Sequence, residues 1–589
     1  MTPPDPKIFY LDAGSSRAFA AFHSADSAGS RRAPVLICPP WGWDEVASYR
    51  SRRQWAEALV AAGHPTLRFA LPATGNSSGS PRDSGVVATW VGAVVAAARW
   101  LRAATGSPGV TVLGLGLGGL LARAALAEGA PIEELILWAA PVSGRAFSRE
   151  TRAFSRLQGW NGSLEGAPPD SALPEGWLEA GGFVLSAETL AELRDLDPTA
   201  EPGAVPRRAL LLERDGVVVD EGLREGLERA GAEVSIAPGP GWADLVSHAE
   251  RTKLSGPTAA TVTGWLGEGE SLKAPPVAAA PANEAIPIAA EEVELEIGGQ
   301  RIRERPLFVE QGFGRAFGVL AEPAAGPATG VCTVFLNAGA VRNVGPNRLW
   351  VETARRWAAH GVRTLRLDLE GIGEADGVAP PTVCDFYLPK YQRQLAAVLD
   401  HLQEIGAGQR FTLVGLCAGG YWAFQEGVDD PRVASVLLLN SGALAWDPNL
   451  VAQREARKIR RGAQPHWWRR LLRGEVGLAK LWSLLRALPP AAVQALKGLI
   501  PGRRGGLRHE IEADLDRLEA AGTSVTLAFS GEEPLASELE SYGFLGELDR
   551  WPRVGIVFLP GNDHTLRPVG AQAAARALLD GELERLLHS

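Results

Sequence analysis

Cysteine is scarce in this chain: Cys38, Cys332, Cys384 and Cys417 are the four present in 589 residues. That density excludes a disulfide framework and fits a reducing cytoplasm. Methionine occurs once among abundant Ala, Gly and Arg, a composition that points to a GC-rich bacterial genome. Positive charge is in deficit, and a net charge of −9 argues against general nucleic-acid binding. The start, MTPPDPKIFYLDAGSS, lacks a basic region followed by an apolar core, so no secretory signal is expected. No apolar run approaches the roughly 20 residues that span a bilayer. No His/Cys/Asp spacing resembles a metal-ligand set, so neither metal nor cofactor is expected. What remains, 46% hydrophobic and 22% charged, is an ordinary globular composition. The chain is too long for a single core.

A repeat organises it. Residues 33–45, APVLICPPWGWDE, match in kind residues 330–342, GVCTVFLNAGAVR: a hydrophobic strand entering a small-residue loop. WAEALVAAGHPTLRFALPATGNSSG (55–79) parallels WAAHGVRTLRLDLEGIGEADG (357–377), each a helix, a Gly turn, a strand beginning TLR and a Gly-rich loop. TVLGLGLGGLLARAAL (111–126) parallels TLVGLCAGGYWAFQEG (412–427). RALLLERDG and GAEVSIAPGPGWAD (208–244) parallel SVTLAFSGEEP and GIVFLPGNDH (524–564). The offset of about 300 residues reads as a fused duplication. Strands alternating with helices predict α/β modules with parallel sheets covered on both faces. The expected boundaries are a first module over 1–267, an Ala/Pro-rich, semi-rigid linker over 268–290, and a second module over 291–589. Each module carries an insertion after its sixth strand, at about 143–204 and about 443–515, where a cap is expected.

Residues 411–420, FTLVGLCAGG, hold the strongest signal. An apolar strand runs into Gly415-Leu416-Cys417-Ala418-Gly419, a G-x-S-x-G pattern with cysteine in place of serine. Such a turn lifts the nucleophile above the sheet and aims the next N–H at an oxyanion, with glycines where a Cβ would clash. These matched motifs resemble the α/β-hydrolase superfamily over nearly the whole chain. They look more narrowly like bacterial serine-aminopeptidase-like and lysophospholipase-like hydrolases, including paired hydrolases encoded with exosortase systems. The cysteine elbow resembles that of dienelactone hydrolase and polyhydroxyalkanoate synthases, which use a Cys–Asp–His triad.

The resemblance implies the order nucleophile, acid, base. Cys417 is then the nucleophile and His564, in the Gly-Asn-Asp-His loop, the base. Glu533 takes the acid position when the loop is aligned on Pro534, with Glu532 the alternative. The oxyanion hole is expected from the N–H of Ala418 and an N–H of the Asn337-Ala338-Gly339-Ala340 loop, Ala338 by choice. A thiol of ordinary pKa near 8.5 is only a few per cent ionised at neutral pH, so a neighbouring imidazole matters. Against this stand plainer readings: a small core cysteine, a helix-capping histidine, surface glutamates. Cys332 and Cys384 have no such context and read as structural, and His360, His401, His466 and His509 read as surface groups.

In the first module the nucleophile position is Gly116, so covalent catalysis there is impossible. Asp244 falls where His564 sits, with His248 nearby, and Asp215 falls at the acid position. A structural partner is expected, with a retained binding pocket the alternative. Between Arg454 and Arg508 stand fourteen Lys/Arg against Glu455 and Glu475. Leu478, Leu481, Trp482, Leu485 and Leu488 recur at helical steps beside Trp467 and Trp468. This is a cap helix with a solvated basic face, or a docking face for an acidic carrier protein, coenzyme A or an anionic membrane surface; no nucleic-acid motif accompanies it.

The leading expectation is an acyl hydrolase or thioesterase-like enzyme working through an acyl-cysteine on an ester, lactone or thioester. Acyl transfer or cyclisation is a close variant, and a non-catalytic scaffold is the reading from another class.

Overall fold

The computed structural model describes residues 5–25, 32–158, 164–168, 172–196, 205–269, 288–326, 328–446 and 502–588. The linker core and most of the basic insertion, with its helical leucines and tryptophans, lie outside the described residues. The chain divides into two compact units: Met1–Ala379 with Thr565–Ser589, and Pro380–His564.

In the first unit, the first repeat contributes β1 (Lys7–Ala13), β2 (Ser16–His23), β3 (Val35–Cys38), β4 (Thr66–Phe69), β5 (Val110–Leu115) and β6 (Ile132–Trp138). A small hairpin, β7 (Leu178–Ala180) and β8 (Phe183–Leu185), follows, flanked by helices Gly144–Gln158 and Ala187–Asp195. β9 (Arg208–Leu212), β10 (Glu233–Ala237) and the short β11 (Ala289–Ala290) complete a sheet ordered β10-β9-β6-β5-β3-β4-β2-β1-β11. Six strands, from β10 to β4, run parallel, and β2, β1 and β11 join antiparallel. VLIC, TVLGL and ALLL are buried throughout, as parallel strands covered on both faces must be. One covering helix, Val86–Thr105, is long and apolar enough to cross a bilayer. This corrects the expectation that no such run exists: Arg99 and Arg102 interrupt it in sequence, while Trp90, Val94 and Leu101 bury it against the sheet.

The same unit holds the opening of the second repeat. β12 (Val293–Ile297), β13 (Gln300–Gln311), β14 (Gly314–Pro323), β15 (Val331–Leu336) and β16 (Arg363–Asp368) follow the order β12-β13-β14-β16-β15. β14 is antiparallel to β16, and β16 is parallel to β15, as β2, β4 and β3 are in the first repeat.

The second unit holds β17 (Arg410–Leu416), β18 (Val433–Leu439), β19 (Ser524–Phe529) and β20 (Val554–Phe558), all parallel in that order. They correspond one for one with β5, β6, β9 and β10. Mostly parallel sheets flanked by helices, the predicted α/β class, thus recur in both repeats.

Candidate active site

Strand β17 ends at Leu416, and helix Ala418–Asp429 starts two residues later. Cys417 joins them at φ 57°, ψ −116°, a left-handed conformation that costs a non-glycine residue about 1–3 kcal/mol. Surrounding hydrogen bonds hold it there: its N–H donates to Leu439 O at 3.1 Å, and its carbonyl accepts from Gly420 at 3.2 Å and Gly442 at 3.3 Å. Gly415 is a steric necessity, since a Cβ there would stand 2.1 Å from the carbonyl oxygen of Gly419. Cys417 is half-buried, whereas Cys332 is fully enclosed and burial pushes its thiol up to about 12.

His564 lies in the loop after β20 and Glu533 in the loop after β19. Glu533 is 4% exposed, immediately before helix Pro534–Ser541. Both its oxygens lie 3.0 Å from His564 Nδ1. Glu532 instead faces outward at φ 66°. The structure thus separates two glutamates that sequence alone left as alternatives. Burial opposes charge on His564, but hydrogen bonds with the Cys417 thiol and Glu533 outweigh it and push the ring's pKa up to about 11. Thiol, imidazole and carboxylate form one connected series within the second unit.

Ala418 is the first residue of its helix and is buried; the first N–H groups of a helix have no acceptor within it. Ala338 belongs to the first unit. It sits after β15 in a turn closed by Val341 N–H to Ala338 O at 3.1 Å. That turn is held by Asp368, whose carboxylate accepts from Asn337 Nδ2 at 3.0 Å and from Asn343 N and Nδ2, both at 2.6 Å.

Sequence reasoning missed Asn440, which is fully buried at φ 43° just past β18. Its side chain bonds Ser530 and the carbonyl of His564. The signal was present in the repeat: LLLN (437–440) stands where the first copy reads ILWA (136–139), with Ala139 in the asparagine's place.

The first repeat keeps the elbow without the chemistry. Gly116 has φ 52°, ψ −124°, nearly the Cys417 conformation. A Cβ there would lie 3.4 Å from Pro40 and 3.6 Å from the Trp242 ring, in ordinary contact with both, and the position is half-buried. Trp242 packs edge-on to Trp138, which packs on Trp55. Asp215 accepts from Gly241 N at 2.6 Å and Ala243 N at 2.7 Å, capping the loop where a base would stand. Asp244 is exposed and lies 3.6 Å from Lys253, and His248 is exposed. Among the described residues no group of three His, Cys, Asp or Glu side chains is arranged to hold a metal ion.

No protein-family model and no curated protein matches the chain. Solved structures similar to it include a proline iminopeptidase from Mycobacterium smegmatis (TM-score 0.31, 15% identity, 48% of this chain and 98% of that one). An esterase from Pyrococcus furiosus gives a TM-score of 0.32 at 11% identity over 48% of this chain and 90% of its own. A dienelactone hydrolase from Anabaena variabilis gives 0.29 at 14% identity over 49% and 98%.

Proposed function

We propose that the second repeat is an acyl-transfer enzyme, a hydrolase or thioesterase-like enzyme that forms an acyl-cysteine on Cys417. The observation that carries this reading is the His564 ring, held at 3.0 Å by a buried carboxylate and hydrogen-bonded to a thiol in a strained elbow. With its pKa raised, His564 already holds the proton shared with the Cys417 sulfur, so sulfur attacks the acyl carbonyl while the imidazolium delivers that proton to the departing alcohol or thiol. Glu533 fixes the ring and offsets the imidazolium charge. The N–H group of Ala418 is assigned to the developing oxyanion; losing such a donor typically removes roughly 3–4 kcal/mol of transition-state stabilisation. Water then attacks the thioester, with His564 as general base, regenerating the thiol and releasing a carboxylic acid. An alcohol or amine in place of water gives transfer or cyclisation by the same steps.

The test is intact-mass analysis of wild-type and Cys417→Ala protein after exposure to activated esters, lactones and coenzyme A thioesters, with iodoacetamide as a thiol probe. The thioesters belong in the panel because the basic stretch 454–508 complements their charge. An acyl adduct in wild type that is absent from Cys417→Ala is expected. No adduct with any donor, together with alkylation of Cys417 no faster than that of Cys384, would move the second repeat to the scaffold class.

A further inference from the structure

Resting on the proposed roles of Cys417, Glu533 and His564, we propose that Asn440 is a positioning residue that locks the acid and base loops to the elbow. Its place in the sheet makes this possible. β18 lies between the nucleophile strand and the acid strand, with Leu439 opposite Leu416 on one side and Ala528 on the other. The dipeptide Leu439-Asn440 therefore meets both loop origins. Leu439 O accepts from Cys417 N at 3.1 Å, and Asn440 N donates to Ala528 O at 2.8 Å.

The side chain completes the set. Oδ1 accepts from Ser530 N at 2.7 Å, three residues before the acid. Nδ2 donates to Ser530 Oγ and to His564 O, each at 2.9 Å. Ser530 Oγ in turn lies 3.4 Å from Asp563 O. A primary amide offers two N–H donors and one carbonyl acceptor, so every hydrogen-bonding group of Asn440 is engaged. A carboxylate has no N–H to donate, and an aliphatic residue neither donates nor accepts. The left-handed φ of 43° adds a second constraint that asparagine tolerates better than most residues.

The first repeat supplies an internal control. Gly116 N donates to Trp138 O at 3.0 Å, and Leu115 stands opposite Trp138, so Ala139 at φ 55° is the structural counterpart of Asn440. The copy with no nucleophile has kept the backbone conformation and lacks the amide. Backbone strain alone therefore does not require asparagine; its amide is the feature confined to the copy that holds Cys417, Glu533 and His564.

The test compares wild type with Asn440→Gly, which keeps the left-handed backbone and removes the amide, and with Ser530→Ala, which removes one partner. An acyl donor that labels wild type supplies the single-turnover acylation rate across donor concentrations, and NMR of His564 supplies the ring's titration midpoint. Asn440→Gly is expected to lower the saturated rate at least tenfold with an unchanged half-saturating concentration, and to bring the midpoint down toward the ordinary histidine range. Ser530→Ala is expected to do the same to a smaller degree. A folded Asn440→Gly protein with a rate within twofold of wild type and an unmoved midpoint would overturn the assignment. So would a rise in half-saturation with rate and midpoint unchanged, which marks lost donor binding. If Cys417→Ala protein acylates as wild type does, the proposed nucleophile fails, an outcome separate from either.

Discussion

Burial works against a charged imidazole at His564, and two hydrogen-bond partners overcome it. Because the folded value is raised above the unfolded one, the ring binds more protons in the native state across the interval between them. The stabilisation is complete below about 6.5 and is lost as pH rises toward about 11. Thermal melts of wild type should therefore fall with pH over that window more steeply than those of His564→Ala, and equal slopes would refute the shift. Replacing Cys417 by Ala removes one of the two partners and should lower the ring's NMR midpoint. The adjacent glutamates give a second check. Glu533→Gln should lower acylation at least 100-fold by disturbing the histidine, in line with loss of a triad carboxylate. Exposed Glu532→Gln should stay within about twofold; reversed effects in a rate assay would move the acid to Glu532.

The elbow was the most legible element in the sequence, for a steric reason. A strand that turns into a helix with its first turn packed on its own last residue leaves no room for a Cβ at Gly415, and the same holds at Gly114, 2.5 Å from the Gly119 Cα. Steric demands of that kind must be written as glycine, so they show in a linear pattern. His564 was visible for a similar reason: Gly561 turns its loop at φ 83°. Asn440 was not visible, because its partners come from loops 90 and 124 residues away. The choice between Glu532 and Glu533 was likewise hidden, since it depends on where a helix begins. At this scale Gly415→Ala should fail to fold or lose several kcal/mol of stability in urea melts, because its neighbour is backbone and cannot yield. Gly116→Cys should give a folded protein whose new thiol forms no acyl adduct, because Asp215 is occupied by backbone N–H groups and Asp244 stands where a histidine base would be. Intact mass on a Cys417→Ala background reads that outcome.

Within the first compact unit, the two repeats meet through matching residues, as the halves of an isologous dimer do. Arg68 and Arg366 occupy the same TLR position. Arg68 reaches Glu374 in the Gly-rich loop of the second repeat, with two bonds at 2.9 Å, and Arg366 reaches Asn76 in the Gly-rich loop of the first at 3.4 Å. Arg348 and Arg355 donate to carbonyls of residues 75–79, while Arg53 donates to those of Gly373 and Ala375. An apolar patch joins them, with Ile8, Tyr10 and Phe19 from one repeat against Val293, Phe317 and Val319 from the other. The contact also carries buried charge. Glu45 of the first repeat binds Arg342 at 2.7 Å, and Arg342 follows directly on the turn that holds Ala338. Glu45 and Arg342 are both buried, and Glu45 also pairs with Arg52 at 2.7 Å. Removing one partner of such a set strands charge in the core and typically costs about 3–5 kcal/mol, so Glu45→Ala should be strongly destabilised in urea. Glu45→Gln keeps an acceptor but leaves the two buried arginines uncompensated, so it should be destabilised in the same direction but less than Glu45→Ala; equal losses in urea would show that only the charge matters.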